Sequence, residues 1–96
     1  MAVHHMVWMK FHAGVGDKRI DEHLTALRSL PADVPGIRGL NCGVNFTDRA
    51  GGYTHGLSVV LDDREALGVY AEHPRHVEVA TALRADADLM ALDYEF

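Results

Sequence analysis

Val3-His4-His5-Met6-Val7-Trp8-Met9-Lys10-Phe11 is the stretch on which the reading of the chain turns. As a strand it places Val3, His5, Val7, Met9 and Phe11 on one face and His4, Met6, Trp8 and Lys10 on the other. Met6 and Trp8 make the second face apolar too. A strand that is oily front and back needs cover on both sides. A chain of 96 residues has material for one covering layer, because a domain of this size has a thin core. The second face is therefore expected to meet another copy of the chain, and a homodimer is predicted.

The rest of the chain follows from that strand. His12 to Gly16 is a turn-rich loop, and Asp17 suits a helix N-cap. Ile20, His23, Leu24, Leu27 and Leu30 recur at helical spacing, so a helix is predicted over Lys18 to Leu30, ended by Pro31 and Pro35-Gly36. Ile37 to Phe46 alternates as a strand with Leu40, Cys42, Val44 and Phe46 on one side. Gly39 and Gly43 fall on the other, where a bulge or a close approach fits. Thr47 to Gly52 is a hairpin loop, and Tyr53 to Leu61 the returning strand, with Tyr53, His55, Leu57, Val59 and Leu61 on one face. Asp62-Asp63 opens a short helix through Leu67 and Tyr70. His73-Pro74 breaks it, and Pro74 opens another through Val77, Ala80 and Leu83. Leu89 to Phe96 closes the chain as a strand. The order β-α-β-β-α-α-β predicts one α+β domain over residues 1–96, a ferredoxin-like four-stranded antiparallel sheet with helices on one face. Two such sheets packed face to face make a dimeric α/β barrel.

Composition narrows the function. Nine basic against fourteen acidic side chains give −5 at pH 7. That balance argues against a nucleic-acid partner and against an anionic membrane surface. No apolar run approaches the roughly 18 residues of a membrane span, and the N-terminus lacks a signal-peptide pattern. The single cysteine, Cys42, makes no internal disulfide, so a cytoplasmic location is expected, with Cys42 a small buried apolar group. Seven histidines are many for so short a chain. They form no HExxH motif, and Pro74 disturbs the spacing of His73 and His76, so a transition-metal site is disfavoured.

The most specific segment is Tyr70-Ala71-Glu72-His73-Pro74-Arg75-His76. Tyr70 ends one helix and the proline break re-aims His76 from the next, while His5 and His55 lie on strand faces turned toward the helices. Convergence of these elements would give a small polar group in an apolar pocket, the usual look of a ligand site.

These residues, with Val34-Pro35-Gly36-Ile37, Gly43-Val44-Asn45, Gly52-Tyr53-Thr54-His55, Val79 and Asp93-Tyr94, resemble the stress-responsive A/B barrel domain family along essentially the whole chain. The family contains a plant polyketide cyclase. The resemblance implies His76 as catalytic base and Tyr70 as its hydrogen-bonded partner. It also implies a ligand pocket lined by His5, Val7, Met9, His23, Leu24, Leu27, His55 and Leu57. At His23, Leu24 and Leu27 the chain departs from the bulky aromatic residues of the cyclase, so pocket shape does not carry over. The resemblance further implies a weak Mg²⁺ site on the backbone carbonyls of Pro31, Val34 and Ile37, since carbonyl oxygens suit a hard cation.

Two functions follow. One is a pocket for a small organic ligand with cofactor-free acid–base chemistry of aldol cyclase or isomerase type. A neutral His76 would take a proton next to a carbonyl, and Tyr70 would orient the imidazole or donate to the developing oxyanion. The other is a non-catalytic stress-response dimer in which the histidines are structural. In that reading His76 pins two helices through Tyr70, His73 caps a helix, and Asp86 and Asp88 end a helix and a solvated turn.

Overall fold

The two inner strands are β1 (Val3–Phe11) and β3 (His55–Leu61), flanked by β2 (Ile37–Val44) and β4 (Ala87–Glu95) in the order β2-β3-β1-β4, all antiparallel. The computed structural model describes every residue from Met1 to Phe96. Helices α1 (Asp17–Arg28) and α4 (Pro74–Asp86), the shorter α3 (Arg64–Glu72) and a single turn α2 (Leu30–Asp33) complete the ferredoxin-like α+β fold. No helix is long and apolar enough to cross a membrane.

The alternation of β1 sorts the two sides of the sheet. Val3, Val7 and Met9 are buried with Leu57, Val59 and Leu61 of β3, beneath Leu24 and Leu27 of α1, Tyr70 of α3 and Val79 and Leu83 of α4. The opposite face is open and apolar. Register places Met6 beside Leu92 and Trp8 beside Met90. Trp8 is 42% exposed, Met90 51% and Leu92 62%, and Tyr94 and Phe96 extend the same surface. At the edge of this patch His4 is held on both ring nitrogens, Nε2 by Ser58 Oγ at 2.6 Å and Nδ1 by Tyr94 OH at 2.8 Å.

Local chemistry sets the element ends. Asp63 caps α3 by accepting from the Ala66 amide at 2.8 Å. His73 caps α4, its Nδ1 accepting from the Arg75 amide at 3.1 Å, with Pro74 next in the first turn. Several boundaries differ from the sequence expectation. Gly16, not Asp17, is the extended residue before α1. Asp17 becomes the first helical residue without a capping hydrogen bond, where its charge still complements the helix dipole. The helix breaks at Ser29, whose hydroxyl bonds back to the Ala26 carbonyl, and Pro31 enters the short second turn instead of ending the run. β2 stops at Val44 because the Asn45 side chain turns the chain by accepting from the Thr47 amide, which leaves Phe46 in solvent. β3 accordingly begins at His55, two residues after Tyr53. β4 begins at Ala87, directly after α4. The bulge in β2 lies between Ile37 and Gly39.

Candidate functional site

The register of β1 and the proline break between α3 and α4 together build one cavity under the helices. β1 contributes His5 and Val7, β3 Leu57, and α1 Leu27. Tyr70 comes from α3, and His76, Ala80, Leu83 and Arg84 from α4. The cavity has a volume of about 440 Å³ and largely apolar walls. His73 is extended at the helix junction, so α4 starts in a new direction and brings His76 back over Tyr70. The two rings lie 4.2 Å apart between centroids, and His5 meets Tyr70 edge-on at 5.5 Å.

The polar atoms of this trio are differently satisfied. His76 Nδ1 lies 3.1 Å from the Ala71 carbonyl. A carbonyl can only accept, so Nδ1 carries the proton and Nε2 keeps its lone pair. Burial pushes the His76 pKa down, opposed by that hydrogen bond and reinforced by the positive potentials of His5, Arg84 and His73. His76 is thereby held as a neutral base near pH 7. His5 is bonded through Nδ1 to the Asp93 carboxylate, directly across from it on β4. Tyr70 is 1% exposed, and its hydroxyl is buried without any hydrogen-bond partner. Burial pushes its pKa up to about 12, so it is an un-ionised phenol at neutral pH with an unspent donor. Tyr70 and His76 thus lie ring against ring, tilted by 40°, and are not hydrogen-bonded to each other, in contrast to the arrangement the resemblance implies.

Of the expected pocket residues, His5, Val7, Leu27 and Leu57 line the cavity and Met9, His23, Leu24 and His55 do not. Met9 and Leu24 are core residues, at 0% and 5% exposure. His55 lies four residues along β3 from Val59, the partner of His5, which is about 13 Å at strand rise. There it meets Phe11 edge-on and bonds Thr54, and burial lowers its pKa, with Asp21 opposing. His23 is buried at the same end, its Nε2 2.6 Å from Asp86, which also accepts from Arg19 at 2.7 Å. Asp86 therefore does more than end a helix: it anchors α1 to the end of α4. Two polar residues of the cavity were not anticipated, Asp93 and Arg84. The pairing of β1 with β4 gives the first, and the spacing of eight from His76 along α4 gives the second.

The turn after α1, where the resemblance implies Mg²⁺, offers backbone oxygens only. The carbonyls of Pro31 and Val34 accept none of the turn or cap backbone hydrogen bonds, while Ile37 sits in β2 opposite Leu61. Nowhere in the chain are three or more His, Cys, Asp or Glu side chains grouped to hold a metal.

Comparison with known proteins agrees with this architecture. The family model described as the stress responsive A/B barrel domain matches residues 3–96. An uncharacterized protein of Streptomyces coelicolor is 32% identical over 96 residues, spanning 98% of this chain and 99% of its own. Olivetolic acid cyclase of Cannabis sativa is 27% identical, spanning 98% of this chain and 96% of its own. A dimeric protein of unknown function and ferredoxin-like fold from Bacteroides fragilis superposes with a TM-score of 0.84 at 26% identity, covering 99% of this chain and 96% of that one. The chain belongs to the stress-responsive A/B barrel family.

Proposed function

We propose that the chain works in the cytoplasm as a homodimer whose helix-side pocket takes a small organic carbonyl compound and moves a proton on the carbon next to the carbonyl, without a cofactor. The observation that carries this reading is the trio in the cavity. His76 presents an unprotonated Nε2, and Tyr70 presents a buried hydroxyl with nothing to donate to. A carbonyl oxygen accepting from Tyr70 would satisfy that donor, and the donor gains strength as the oxygen becomes an enolate. Positioned base catalysis of this kind is worth about 10²–10⁴ in rate. Similarity to a cyclase supports acid–base chemistry as the reaction class. The dimer is supported by the open apolar face of Trp8, Met90 and Leu92, and by the dimeric character of the Bacteroides protein. The donor type of the Pro31, Val34 and Ile37 carbonyls fits a hard cation, and Mg²⁺ there would brace the turn and take no part in the chemistry.

A second reading, a non-catalytic dimer with structural histidines, draws on His23, His12, His4 and His73, all of which have partners within the chain. The two readings separate in deuterium oxide. Exchange of the α-protons of 2-octanone, followed by NMR, should be accelerated by the protein and slowed about 100-fold or more by His76→Ala with the dimer intact. No acceleration by the unsubstituted protein, or an unchanged rate in His76→Ala, leaves the structural reading.

A further inference from the structure

Arg84 is the one Lys or Arg on the wall of the cavity; it is solvent-exposed and has no carboxylate within ion-pair distance. Arg19, Arg38, Arg64 and Arg75 each have a carboxylate within ion-pair distance; Arg84, like Arg28 and Arg49, has none, and of these three it alone lines the cavity. Asp93, the acidic residue on the same wall, is bonded to His5 instead. Arg84 follows His76 and Ala80 at intervals of four on α4, so the three form one stripe facing the cavity. Eight residues of helix separate the α-carbons of His76 and Arg84 by about 12 Å along the axis. The Tyr70 hydroxyl supplies the second, independent sign of a missing ligand group, being a buried donor without an acceptor. The cavity therefore asks for two different oxygens: a neutral carbonyl at the Tyr70–His76 end and an anion at the Arg84 end, joined by an apolar body against Leu27, Leu57 and Leu83.

Resting on the pocket reading above, we infer that the ligands of this site are medium-chain oxo-carboxylates, held by a carboxylate on Arg84 and presenting a ketone to Tyr70 and His76. A guanidinium is suited to this end because its fork accepts a carboxylate on two parallel N–H bonds and remains charged at every working pH. The Asp93 carboxylate sets the limit on anionic charge, since a dianion would bring a further negative group toward it.

The test uses 7-oxooctanoate and its methyl ester, which share the ketone and the chain and differ in the charge at the far end. Binding to the full-length protein at pH 7.5 is read from NMR chemical-shift titration. The acid should bind about tenfold more tightly than the ester, the scale of one hydrogen-bonded charge contact. Arg84→Gln should erase that preference by weakening the acid alone, and Arg84→Lys should retain part of it. Equal affinity for acid and ester in the unsubstituted protein, or a preference that survives Arg84→Gln, overturns the role of Arg84 while leaving the pocket standing. Binding of neither probe overturns the pocket reading along with it.

Discussion

Tyr70→Phe should make the protein more stable while disabling the site. In the free protein the hydroxyl is buried and makes no hydrogen bond. A buried donor without a partner costs about 1–3 kcal/mol of lost hydration, and phenylalanine removes that cost. The ring keeps its place against His76 at 4.2 Å and His5 at 5.5 Å, so only the small dispersion contribution of one oxygen is lost. The net gain should be about 1 kcal/mol, which for a domain of this length is a rise in Tm of roughly 4–8 °C. Calorimetry at fixed protein concentration is the assay, because assembly also moves Tm. A ketone ligand should then raise Tm of the unsubstituted protein and have a smaller effect on the variant. If Tyr70→Phe melts several degrees lower than the unsubstituted protein, the hydroxyl was already engaged in the free state, and the inference that it waits for a ligand fails. A stabilising change that abolishes activity is the signature of a group kept for function at the expense of stability.

Trp8→Lys places a charge in the open face and should yield a folded chain of about 10.6 kDa by light scattering where the unsubstituted protein gives about twice that mass; an unchanged dimer would mean assembly uses another surface. His76 should titrate below 6.5 by NMR, because burial depresses its folded-state pKa. Since the unfolded chain then binds the proton more readily, stability should be complete above about pH 6.5 and fall as pH drops through the window between the unfolded and folded values, and a midpoint above 6.5 would contradict this. Gly36→Ala should cost about 1–2 kcal/mol in urea unfolding, because Gly36 has φ of 86° and an added Cβ would sit 2.9 Å from Ala66 Cβ; a cost near zero would show that α3 gives way easily.

The fold was legible in the sequence because its signals are periodic and local. The alternation of β1 identified both faces, and Asp63 and His73-Pro74 marked helix starts that the structure keeps. Boundaries shifted where a single side chain redirects the backbone, as Ser29 does after α1 and Asn45 does after β2. The cavity was only partly legible. Tyr70, His76 and His5 could be grouped from their elements and the family pattern, but position along a strand is a matter of register. His55 shares a face with the cavity residues and still lies at the other end of its strand. Arg84 and Asp93 became visible only once the β1–β4 pairing and the facing stripe of α4 were fixed. The unpaired state of the Tyr70 hydroxyl has no counterpart in sequence at all, since it depends on what every neighbour does with its own hydrogen bonds.

The two-sided character of β1 has a consequence for how such a protein can change over generations. His5 and Val7 touch the cavity, and Met6 and Trp8 touch the opposite surface, yet they are consecutive in one strand. Positions 5 and 7 can drift toward new ligands without disturbing the opposite face, and positions 6 and 8 can retune that face without reshaping the chamber. A duplicated gene could thus diverge in chemistry while its products still pair with their parent, and mixed assemblies with two unlike chambers would be the natural first outcome.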